Sequence, residues 1–102
     1  MAYKYIDVRQ LEVFMAVARI GSFSNAAKKL GMTQPAISLQ MQALEKHLGV
    51  DRLFDRAGGK KIALTADGTA LMGLVPSIIS SFNSLPSRFA EMHRNILLYR
   101  LS

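Results

Sequence analysis

The sequence predicts a mainly α domain: three short helices, a two-stranded hairpin and a long C-terminal helix. Three observations carry this. Apolar residues recur at helical spacing in three consecutive segments, each opened by Asp, Ser or Thr and each closed by Gly. A short stretch, VDRLFDRAGGKKIALT, then reads as two strands about a glycine turn. Beyond Thr65 the apolar residues step by four and three without drift, which is a heptad pattern.

The first helix follows Asp7. Its side chain can cap the helix, with Gln10 three residues on as the reciprocal partner of a capping box. Leu11, Phe14, Met15 and Ala18 share one face, and Gly21 ends the helix. Ser22 caps a second helix whose apolar face is Phe23, Ala26, Ala27 and Leu30, with Lys28 and Lys29 outside. The two alanines let a neighbouring helix come close. Gly31 supplies the left-handed residue that a tight helix–helix turn needs. Thr33 caps the third helix, and Pro35 lies in its first turn, where a missing N–H costs nothing. Ile37, Met41, Leu44 and Leu48 form its inner face, and Gly49 closes it.

Leu53, Phe54 and Arg56 read as one strand and Lys60 to Leu64 as the next, joined by Ala57-Gly58-Gly59. A lone hairpin is marginal, so this one must lean on the helices. Thr65 caps the last helix, with Asp67 in its first turn favoured by the helix dipole. Leu71, Val75, Ile78, Phe82, Leu85, Phe89, Met92, Ile96 and Tyr99 make its seam, and Pro76 and Pro86 interrupt it from off-seam positions. A bent or broken helix is expected. The seam spans about 40 Å at about 1.5 Å per residue. That exceeds what so small a domain can cover, so a partner chain is expected along it.

Composition narrows the function. The 102 residues imply one domain, and no cysteine is present for a disulfide frame or a thiolate metal site. No apolar run approaches the about 18 residues of a membrane span, and the N-terminus lacks a signal-peptide pattern. The net charge is +6 and uneven: residues 1–61 hold 10 Lys/Arg against 5 Asp/Glu, whereas residues 62–102 hold 3 against 2. An anionic partner is expected for the first part. On the third helix, the direction opposite the inner face carries Pro35, Leu39, Gln42 and Lys46. Ser38 and Glu45 flank it, and Gln34 leads. Amides and hydroxyls there suit base edges in a major groove, and Leu39 suits a thymine methyl. A solvent-facing polar helix is the plainer reading of that face alone. A capped helix, a glycine turn, a second capped helix and a basic hairpin in sequence favour the nucleic-acid reading. Lys28, Lys29, Arg56, Lys60 and Lys61 would then meet phosphates, the hairpin acting as a wing with its tip near the minor groove. Catalysis finds no support. His47 and His93 fit no metal spacing, no serine is set apart as a nucleophile, and Gly58-Gly59-Lys60-Lys61 is not a phosphate-cradling loop.

LEVFMAVARIGSFSNAAKKLGMTQPAISLQMQALEKHLGV, followed by LFDRAGGKKIALTADG, resembles the N-terminal domain of LysR-type transcriptional regulators from about Val8 to Gly68, and more weakly beyond. GSFSNAA, TQPAIS, ALEKHLGV, LFDR and LTADG carry the resemblance. It implies a winged helix-turn-helix over residues 1–65 and a linker helix over 66–102 that pairs with a second copy, usually antiparallel. Dimer and tetramer both remain open for full-length members. It implies cytoplasmic, sequence-specific binding of double-stranded DNA in transcription regulation, with no enzymatic activity, no cofactor and no membrane contact. The small-molecule effector of the family binds a C-terminal domain absent from this sequence. A fragment is therefore expected, a natural short form being the alternative. Family contacts map to Gln34, Pro35 and Ser38 on the recognition helix, to Ser24 and Thr33 near phosphate, and to Arg56 and the glycines after it in the wing. The dimer seam maps to Leu71, Val75, Ile78, Phe82, Leu85, Phe89, Met92 and Ile96. Leu39 departs from the family's common Arg, and GVDRLF holds one residue more than the usual spacing. Two other readings are carried: a winged-helix regulator of the molybdate-responsive type, and a protein-interaction and dimerisation module that does not bind DNA.

Overall fold

The computed structural model describes residues 6–55 and 61–101. Its elements run α1 (Val8–Ile20), α2 (Phe23–Leu30), α3 (Gln34–Leu48), β1 (Phe54–Asp55), β2 (Ala63–Leu64), α4 (Ala66–Met72), α5 (Val75–Asn83) and α6 (Leu85–Leu101). The architecture is a winged helix-turn-helix followed by a long, interrupted helix.

Local hydrogen bonds set the helix limits. Asp7 and Gln10 form the full capping box, each side chain accepting from the other's backbone N–H at 2.8 and 3.2 Å. Ser22, Thr33 and Thr65 accept from Asn25, Ala36 and Gly68 at 3.2, 3.2 and 3.1 Å. Gly21, Gly31 and Gly49 close α1, α2 and α3 with φ of 76°, 65° and 72°. A side chain strains that left-handed geometry.

The core gathers Leu11, Val13, Phe14 and Val17 of α1, Ala26 and Ala27 of α2, Ile37, Met41 and Leu44 of α3, then Leu53, Phe54, Val75 and Ile79. Phe14 lies 5.4 Å from Phe54, and Phe23 meets Phe54 edge-on at 5.5 Å, which fastens β1 to the helices. The buried sector of α1 is wider than the expected stripe. Met15 and Ala18 are only half-buried, while Val13, Val17 and even Gln10 are buried. The reason is that α1 touches α2, α3 and α5 at once.

The wing strands are shorter than expected. β1 and β2 hold two residues each, paired antiparallel as Phe54 with Leu64 and Asp55 with Ala63. Leu53 is a buried anchor, not a strand residue. Its N–H donates to Glu45 Oε2 at 2.8 Å, and its carbonyl accepts from the Thr65 N–H at 3.0 Å. The expected wing residues Arg56 and Lys60, and the Ala57-Gly58-Gly59 turn, lie outside the described residues.

The last helix is broken twice, each time just before a proline. Pro76 is the second residue of α5 and Pro86 the second of α6. Neither can donate to the carbonyl four residues back, so each suits the start of a helix. Ser77, Ser84 and Ser87 donate their hydroxyls to the carbonyls of Leu74, Ser81 and Ser84 at 3.1, 2.9 and 3.1 Å, which satisfies acceptors around the breaks. At Ser84 the backbone ladder carries across: the Ser84 N–H reaches Ser80 and the Arg88 N–H reaches Ser84, both at 3.0 Å.

The breaks change the fate of the seam. Of the expected partner contacts, Val75 belongs instead to this chain's own core, and Leu71 packs against that core. Val75 is wholly buried and Leu71 is half-buried against it, because α5 packs on α1. Ile79, one turn beyond Val75, is buried with it. α6 has no buried residue.

Gly68 is a sharp constraint on this fold. A Cβ there would meet the Leu53 carbonyl oxygen and Leu64 Cδ2. Gly68→Ala is expected to lower stability by about 1–3 kcal/mol, read by chemical denaturation. A loss within experimental error would show that the wing and α4 separate freely.

Candidate nucleic-acid interface

The site begins with α3. Thr33 fixes its first turn, and Gln34 and Pro35 stand exposed there. Leu39, 66% exposed, Gln42 and Lys46 continue the outward face, with Ser38 half-buried at its edge. The inner face is anchored by Ile37, Met41 and Leu44, so the outer one is held in a fixed orientation. The first-turn N–H groups of a helix carry partial positive charge, which adds attraction for anions at the ends of α2 and α3.

A groove of about 660 Å³ runs beside the start of α3. Ser22, Ser24, Asn25, Lys28, Gln34 and Lys61 are in its wall. The groove is held together by backbone: the Ile62 N–H donates to the Gly21 carbonyl at 3.1 Å, which fixes the segment after the wing against the α1–α2 turn. Lys61, next to Ile62, lines the same groove as Lys28. Ser24 Oγ lies 3.2 Å from Ser22 Oγ. Chemically, the groove offers two ammonium groups and several hydroxyl and amide groups on one concave surface. That suits a phosphodiester rather than a reacting centre.

A second hollow of about 180 Å³ lies further along α3, between α3 and β1. It is lined by Phe23, Ser38, Met41, Gln42, Glu45, Arg52 and Phe54. Of the residues expected from sequence, Ser24, Lys28, Gln34 and Lys61 come together in the groove, and Ser38 and Gln42 in the hollow. Pro35 and Leu39 stand exposed on α3, and Lys29 is exposed on α2 outside the groove lining. Thr33 is exposed with its hydroxyl engaged as a cap. Asn25 and Arg52 were not singled out by sequence. Asn25 carried a signal, its place in the first turn of α2. Arg52 carried only the one-residue lengthening before Leu53. Among the described residues no group of His, Asp and Glu is placed to hold a metal ion. No helix among them is long and apolar enough to cross a membrane.

Residues 8–69 match the family model described as bacterial regulatory helix-turn-helix protein, lysR family. The chain belongs to that family. It is similar to the HTH-type transcriptional regulator CbbR of Rhodospirillum rubrum, with 47% identity over 74 residues, covering 72% of this chain and 24% of CbbR. The chain thus spans about a quarter of that relative's length. Two solved structures similar to it are DNA complexes. The BenM DNA-binding domain with benA site 1 DNA has a TM-score of 0.77 and 31% identity, covering 86% of this chain and 97% of that one. The CbnR DNA-binding domain with DNA has a TM-score of 0.72 and 39% identity, covering 90% and 99%. This LysR-family chain therefore corresponds in extent and fold to those domains.

Because Thr33 orients the first turn of α3, Thr33→Ala is expected to cost about 1 kcal/mol of stability, with Thr33→Ser retaining most of it. Thermal melts of the two variants check this. Equal losses in both would assign the effect to packing of the Thr33 methyl, not to the cap.

Proposed function

We propose that this chain binds duplex DNA sequence-specifically, as the DNA-binding segment of a LysR-type transcription regulator. The observation that carries the proposal is the pairing of an outward α3 face that is uncharged from Gln34 to Gln42 with a basic groove at its start. α3 lies in the major groove. Gln34, Pro35, Ser38, Leu39 and Gln42 face bases, while Ser24, Lys28, Lys29, Thr33 and Lys61 face phosphates. The wing, with Arg56 and Lys60 assigned to it from sequence, follows the backbone towards the minor groove. The role is regulatory and cytoplasmic, not catalytic. Effector binding is assigned to the part of the relatives' length that this chain does not span.

The same reading divides the chain at residues 65 and 66 into a DNA-binding part and a linker that dimerises. Its seam is Ile78, Phe82, Leu85, Phe89, Met92 and Ile96; Val75 is taken up by the core, and Leu71 is half-buried against that core. The last five seam residues are each between 52% and 66% exposed, far more than a settled helix face leaves uncovered.

Titration with duplex DNA over a range of salt is the primary test. Affinity should fall linearly on log axes, with a slope near −0.9 for each phosphate neutralised. Absence of binding at low salt by a folded dimer would overturn the proposal in favour of a protein-interaction module. Leu39→Arg is expected to tighten binding and to shift base preference at the contacted position; unchanged affinity and preference would remove Leu39 from the reading face. Phe89→Asp is expected to turn the dimer into a monomer in sedimentation equilibrium, whereas Val75→Ala should lower stability by about 2 kcal/mol without changing the association state.

A further inference from the structure

The outward face of α3 from Gln34 to Gln42 carries no cationic side chain. Positive charge near its start comes from Lys28 and Lys61, which share the groove with Gln34. Further along α3, the hollow beside Ser38 and Gln42 contains one cation, Arg52. Arg52 is exposed, and among the described residues no hydrogen bond or ion pair engages its guanidinium.

Its backbone, by contrast, is held at both polar groups of the peptide that joins it to Leu53. The Arg52 carbonyl accepts from Thr65 Oγ1 at 2.7 Å. The next residue, Leu53, is wholly buried, and its N–H donates to Glu45 Oε2 at 2.8 Å. Glu45 is the one acidic group in the hollow, and its carboxylate is engaged at the Leu53 backbone. A long cationic side chain therefore starts from a fixed point at the rim of the α3 face. A planar guanidinium with several donors suits a phosphate at that rim.

We propose that Arg52 is a phosphate-contacting residue of the recognition surface, holding the DNA backbone beside Ser38 and Gln42, further along α3 than the groove that carries Lys28 and Lys61. The inference rests on the DNA-binding reading above. It deepens that reading by adding a second backbone contact along the helix that selects bases. The contact is to phosphate, so it adds affinity across all sequences and leaves the preferred sequence unchanged.

The test compares Arg52→Ala, Arg52→Lys and the charge-matched control Arg94→Ala, at an exposed position of α6, in salt titrations with one duplex selected by the wild-type chain. Arg52→Ala should weaken binding about tenfold and reduce the magnitude of the salt slope by about 0.9. Arg52→Lys should keep the slope, and Arg94→Ala should leave both quantities as in wild type. The ranking of duplex variants should be the same for Arg52→Ala as for wild type. If wild type binds and Arg52→Ala matches it in affinity and slope, the Arg52 contact is overturned and the DNA reading stands. Weakened binding with an unchanged slope also overturns it, since that marks a structural role. If wild type itself fails to bind at low salt, the DNA reading fails and the Arg52 contact with it.

Discussion

Leu53 has its side chain wholly buried and both backbone polar groups engaged by other elements. The Glu45 carboxylate of α3 takes its N–H, and the Thr65 N–H, at the head of α4, takes its carbonyl oxygen. Gly68 lies against the same carbonyl so closely that no side chain fits there. One peptide segment therefore ties the recognition helix, the base of the wing and the start of the linker into a single body. Buried backbone groups must find partners. Here they find them across element boundaries, which makes the relative placement of these elements a consequence of hydrogen-bond accounting. A two-stranded sheet of two residues per strand could not set that placement by its own ladder.

The recognition surface follows from this rigidity. α3 buries Ile37, Met41 and Leu44 and presents amide, hydroxyl and apolar groups outwards. Over Gln34–Gln42 the charge lies beside the face, in Lys28 and Lys61 near its start and Arg52 further along. That separation matches the division of labour in DNA recognition, where phosphate contacts position a domain and base contacts select the sequence. A lysine in the middle of the reading face would favour any phosphate within reach and blur the selection.

The linker shows how two prolines partition one heptad pattern. The first stretch, through Val75 and Ile79, turns onto α1 and completes the domain core. The later stretch leaves the domain and keeps Phe82, Leu85, Phe89, Met92 and Ile96 in solvent. The molecule is accordingly elongated, 66 × 31 × 21 Å. An unbroken helix from Thr65 would be free to follow only one direction. The break at Gly73–Leu74 redirects the chain, and α5 beyond it buries Val75 and Ile79 against α1.

The caps and the order of elements were legible from sequence because they depend on local contacts. Asp7 with Gln10, Ser22, Thr33 and Thr65 each bond a backbone N–H three residues away, and Gly21, Gly31 and Gly49 each answer a demand for positive φ at their own position. The outward face of α3 was legible for the same reason: helical periodicity alone separates Leu39 and Gln42 from Ile37 and Met41. The motifs of the lysR family supplied the rest of the expected site. What sequence could not yield were facts that need two distant segments at once. The burial of Val75, which fits the heptad seam as well as Phe89 does, is decided by α5 meeting α1. The width of the buried sector on α1 is decided by three neighbours, not by its own period. Arg52 reads as an ordinary charge in a connection, and only the anchoring of Leu53 and Thr65 brings it beside Ser38 and Gln42. Periodicity reports which residues share a face; only packing decides what that face meets.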